Sequence, residues 1–67
     1  MSNKPLKTSL VIDYAMPTMK AERALRALHD AALHKEYAEA RQQALETIRW
    51  AAESHAALVV MEQKERG

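Results

Sequence analysis

The chain has 67 residues and a net charge of +1, from ten Lys and Arg against nine Asp and Glu, which fits one domain without the charge signature of a nucleic-acid binder. It has no cysteine and a single glycine, Gly67, so disulfides, thiolate metal sites and a glycine-rich phosphate loop are excluded. A chain of this size buries only ~60% of the surface its unfolded form exposes, so its own core is marginal and association is the usual way to complete it.

Residues 1–5 are polar and read as a frayed start. From residue 6 to 14 the pattern has period two. Leu6, Thr8, Leu10, Ile12 and Tyr14 alternate with Lys7, Ser9, Val11 and Asp13, which predicts a short strand. No second strand follows, and a lone strand leaves its backbone N–H and C=O groups unsatisfied. Pairing with the same strand of a second copy, as an antiparallel ribbon, satisfies them. The alternative is an extended segment lying on its own helices with water on the backbone. The apolar run Leu10-Val11-Ile12 is too short for a signal segment or a membrane span, so a cytoplasmic protein without membrane contact is expected.

Pro17 suits a first helical turn and disfavours the α region for Met16. A first helix is therefore predicted from about 17 to 33. Its apolar stripe consists of Leu25, Leu28 and Ala32 with Ala21 and Ala24. His34-Lys35-Glu36 breaks the phase. A new stripe runs through Tyr37, Ala40, Ala44, Leu45, Ile48, Ala52, His55 and Val59, predicting a second helix over about 37–65. The change of phase argues for a turn and an antiparallel two-helix hairpin. No Gly or Pro marks that turn, so one unbroken helix is the competing reading. The expected fold is mainly α: one domain over residues 1–67, a short N-terminal strand and then the hairpin, paired into a homodimer.

Two features carry the dimer expectation besides the strand. The second helix is about ten residues longer than the first, and its overhang contains Ala56, Ala57, Leu58, Val59, Val60 and Met61. Apolar residues surrounding a helix mark a segment covered on more than one side. Trp50, Ala57 and Met61 form a facet distinct from that of Ile48 and Val59. The dimer interface is accordingly expected at Leu10, Ile12, Trp50, Leu58, Val60 and Met61.

Catalytic chemistry finds no constellation. His29 and His34 are five residues apart, about 140° from sharing a helix face, and His55 is remote, so no i, i+4 zinc pair exists. Ser9 and Ser54 have no base and orienting acid in pattern. Glu39, Glu46 and Glu53 recur every seven residues and read as a solvated stripe, with Arg49 three residues from Glu46 for an ion pair. No enzyme activity, metal or cofactor is expected.

Binding is the remaining class. A strand followed by two helices in a small dimer is the ribbon-helix-helix plan of DNA-binding repressors. Here the outward strand face would offer one lysine, Lys7, beside Asp13, so nucleic acid is the alternative partner and not the favoured one. Charge is uneven: residues 1–26 carry five basic and two acidic groups, residues 27–67 five basic and seven acidic. Lys20, Arg23 and Arg26 make a basic ridge on the first helix. With Tyr37 they are the candidate contacts to a protein partner, and the competing reading is an ordinary solvated face.

Pro5-Leu6-Lys7-Thr8-Ser9 leading to Val11-Ile12-Asp13, and Ala40-Arg41-Gln42-Gln43-Ala44-Leu45 with Ile48-Arg49-Trp50, resemble the short early host-takeover proteins of transposable Pseudomonas phages, and among them the quorum-sensing anti-activators. The resemblance implies a homodimer in the host cytoplasm that binds and inhibits host proteins. It points to a LuxR-type quorum-sensing transcription regulator and the type IV pilus assembly ATPase. It assigns no contact residue.

Overall fold

The computed structural model describes residues 13–66. They form two α-helices, α1 over Ala15–Leu33 and α2 over Tyr37–Arg66, joined by a tight turn into a hairpin. There is no strand among the described residues. Most of the strand expected over 6–14 lies outside them, and its last two positions, Asp13 and Tyr14, are not in a strand.

Asp13 instead begins the helix. Its Oδ1 accepts the backbone N–H of Ala15 at 3.0 Å, satisfying one of the amides that the first turn leaves without a partner. Tyr14 is already near helical dihedrals (φ −79°, ψ −17°), and its carbonyl accepts from Thr18 N–H at 3.1 Å. α1 therefore starts two residues ahead of Pro17. The proline costs no hydrogen bond there, because a third-position amide has no intrahelical acceptor. Met16 is helical despite preceding it.

The turn at His34-Lys35-Glu36 is a Schellman motif. Glu36 N–H bonds the Ala31 carbonyl at 2.9 Å and Lys35 N–H bonds the Ala32 carbonyl at 3.0 Å. Lys35 sits at φ 60°, the left-handed position that glycine usually fills. His34 Nδ1 lies 2.8 Å from the Asp30 carbonyl, which it approaches as donor. The Glu36 carbonyl then accepts from Ala40 N–H at 2.9 Å and α2 is under way. Glu39 in its first turn and Lys64 and Arg66 in its last complement the helix dipole.

The helices pack along a seam of small side chains. The three buried residues among those described are alanines: Ala24 at 6% exposure, Ala31 at 4% and Ala57 at 8%. Pro17, Ala21 and Leu28 complete the α1 side, each half-buried. On α2 the seam runs Ala40, Gln43, Thr47, Trp50, Ser54, Ala57, Met61, spaced three and four residues apart. A Thr18–Ser54 hydroxyl pair bridges the helices at 2.8 Å. Small residues let helix axes come close. An alanine methyl contributes only about 0.8 kcal/mol when buried, so such a seam gives geometry more than stability.

The bulky residues expected to fill the seam are outside it. Leu25, Tyr37, Leu45 and Ile48 are 53–64% exposed, and Ala32 is exposed as well. The reason is that α2 carries two interleaved repeats of the three-four type, and the hairpin closes on the one that lacks branched aliphatic side chains, where Ala40, Thr47, Ser54 and Ala57 alternate with Gln43, Trp50 and Met61. The overhang also begins later than expected. α1 reaches back to Thr18 against Ser54, Ala57 is buried and Val60 and Met61 are half-buried, so of the expected overhang the large apolar residues left exposed are Leu58 and Val59.

Candidate functional site

Two surface regions flank the hairpin seam and a third lies on the back of α2. The first is built around Trp50. Its ring is half-buried between two cations, with Lys20 Nζ 4.4 Å and the Arg49 guanidinium 4.6 Å from its centroid. Its indole Nε1–H donates to Glu46 Oε1 at 3.2 Å, and the same carboxylate oxygen lies 3.9 Å from Arg49. Glu46 is thus occupied by its own helix. Arg23, Ala27, Gln42 and Gln43 extend this region into a groove of about 570 Å³.

The second region lies on the opposite flank. Thr18, Ala21, Leu25, Thr47, Ala51 and Ser54 line a shallow, mainly apolar depression of about 220 Å³, with Glu22 at its rim. Thr47 Oγ1 donates back to the Gln43 carbonyl at 2.8 Å, and Thr18 and Ser54 bond each other, so the hydroxyls here are internally satisfied.

The third region is the back of α2. Leu45, Ile48, Ala52, His55 and Val59 recur at intervals of three, four, three and four residues. All five are exposed, Leu45 at 61% and Ile48 at 64%. At 100° per residue this line is roughly 150° around α2 from the buried seam. Arg41 and Glu62 continue the repeat at its two ends, and both are exposed. The helix therefore presents a second apolar stripe of the kind that a coiled coil would bury.

The residues predicted as partner contacts do not form one ridge. Lys20 and Arg23 share the Trp50 groove. Arg26 faces another way, beside Glu22, Leu25, Leu28 and His29. Tyr37 stands 63% exposed at the turn end, lining a depression with Ala27, Ala31 and Glu39. Of the predicted interface residues, Trp50 and Met61 belong to the hairpin seam. Val60 is half-buried beside Pro17 and Asp13, and Leu58 is 47% exposed. Leu10 and Ile12 lie outside the described residues. The Glu39-Glu46-Glu53 stripe divides. Glu46 serves Trp50, Glu39 accepts from Gln43 Nε2 at 2.8 Å, and Glu53 is exposed.

Among the described residues no three His, Asp or Glu side chains converge as a metal site, and no helix is long and apolar enough to cross a membrane. No protein-family model matches the chain, and no curated protein and no solved structure matches it.

Proposed function

We propose that this chain is a protein-binding helical hairpin that works as a homodimer and inhibits a host protein by occupying its surface. One observation carries the reading. The hairpin uses its small residues to close on itself and leaves Leu25, Leu45, Ile48 and Leu58 facing outward. Monomeric proteins rarely leave such stripes in water, and exposed apolar surface of this kind marks interaction sites. For a chain of this size without cysteine, association is a usual way to complete the core.

The nature of the host partner comes from the resemblance alone: a LuxR-type quorum-sensing regulator, with the type IV pilus assembly ATPase as a second target. The Trp50 groove, where Lys20 and Arg23 border an aromatic ring, has the residue types that anchor protein interfaces. Cytoplasmic action and a phage origin belong to this same reading.

The test has two parts. Light scattering at tens of micromolar reads the mass of the purified chain, and a monomer removes the self-association. Co-elution of the tagged chain with each purified host protein reads the target. Co-elution with neither removes both named targets.

A further inference from the structure

We infer that the chain pairs with a second copy through the back of α2, antiparallel, with a two-fold axis close to Ala52. The inference rests on the self-association just proposed and adds the surface and the direction.

The stripe on the back of α2 is nearly symmetric about its middle. From Arg41 to Glu62 the repeat is unbroken, with a cation at one end, an anion at the other and Ala52 at the centre. An antiparallel copy brings Leu45 opposite Val59 and Ile48 opposite His55, with Ala52 against its own equivalent. The same register sets Arg41 opposite Glu62 at both ends. Arg41 has no carboxylate within 4 Å among the described residues. Glu62 is held by Arg66 at 3.0 Å, so an incoming Arg41 would extend a pair that already orders the carboxylate. A parallel copy sets like against like at the charged positions, Arg41 against Arg41 and Glu62 against Glu62, and His55 against His55. Opposite charges flanking an apolar seam fix the orientation of helix pairs by such differences. The small Ala52 at the axis lets the two α2 helices approach closely, as alanines already do inside each hairpin.

The occupant is a second copy because the stripe complements itself. A helix from another protein would have no reason to match a cation at one end, an anion at the other and equal bulk either side of an alanine. Two hairpins joined this way form a four-helix layer with both α2 helices central. The Trp50 groove and the Leu25 depression flank the hairpin seam, so the contact between the two α2 helices does not cover them.

The chain has no cysteine, so one introduced thiol gives one label. Gln63→Cys carries a spin label on exposed surface next to the end of the stripe. In the antiparallel dimer the two labels are about 22 residues apart along the helices, ~33 Å at 1.5 Å per residue. In a parallel dimer they lie within ~15 Å, since packed helices are 8–10 Å apart. A distance near 33 Å by pulsed electron resonance is expected. A short distance in a confirmed dimer overturns the orientation while the self-association stands.

Ile48→Glu separates the surface from the fold, because Ile48 is outside the hairpin seam. Its helical circular dichroism should match wild type while the dimer dissociates by at least tenfold. A dimer unmoved by Ile48→Glu places the contact elsewhere and overturns the inference. A wild-type monomer overturns it together with the proposed self-association. The charge pairs give a third reading. Arg41→Glu and Glu62→Arg should each weaken association several-fold, and the double exchange should restore it. Single exchanges without effect contradict the antiparallel pairing.

Discussion

The two sides of α2 obey the same spacing and do opposite things. The buried side, from Ala40 through Gln43, Thr47, Trp50 and Ser54 to Ala57, is poor in large aliphatic groups. The outer side, with Leu45, Ile48 and Val59, holds the residues that hydrophobicity alone would place in a core. Burial within a hairpin is set by how closely two helices can approach and where the turn aims them. Alanines admit the neighbour, and leucines at the same spacing keep it out.

That contrast can be broken by exchanging the demands of the two sides. Trp50→Ala removes the one large ring of the inner seam, and should lower the stability of the hairpin by about 3 kcal/mol, a little under the cost at a fully buried site. For a domain of this size that is a fall of well over ten degrees in thermal midpoint, read by circular dichroism. Ala31→Leu puts the outer side's residue into the tightest inner position. Overpacking there should cost about 2 kcal/mol, whereas Ala52→Leu on the outer side should leave the hairpin's unfolding free energy, read by denaturant titration, within about 0.5 kcal/mol of wild type. Lys35→Gly relieves the left-handed turn residue and should stabilise by about 1 kcal/mol in the same titration, equally for both sides. Lys20→Ala, which strips one cation from the Trp50 ring, should cost about 0.5 kcal/mol and shift the indole emission. An effect of Lys20→Ala as large as that of Trp50→Ala would mean that the cation, and not the ring, holds the inner seam.

Much of the hairpin can be read in the residues. The excess of alanine and leucine and the phase break at His34-Lys35-Glu36 locate two helices and the turn. The turn stays ambiguous in sequence because its left-handed position is filled by lysine, which carries no turn signal. The beginning of α1 is hidden for a related reason. Asp13 reads as part of an alternating pattern, and only its bond to the Ala15 amide shows it as a helix-starting residue. The choice of seam is the deepest gap. Both repeats on α2 are present in the sequence, and ranking them by bulk selects the outer one. Ala24, Ala31 and Ala57 mark where the backbones meet, but Gln43, Trp50 and Met61 hide the inner repeat of α2 from a reading by size or by hydrophobicity. The candidate site was legible in part: Lys20 and Arg23 do share a groove, but Trp50 is its centre, and the cation pair around that ring needs α1 and α2 side by side.

The Thr18–Ser54 hydroxyl pair acquires a further role against that alanine seam. A run of methyl groups is nearly smooth, and two smooth helices can slide past each other by a turn with little change in contact. A hydroxyl pair cannot slide, because one turn in either direction separates the two oxygens by about 5 Å and sets Thr18 against Ala57 or Trp50 in place of Ser54. With Trp50 one turn away, it acts as the detent that selects one position of α1 along α2.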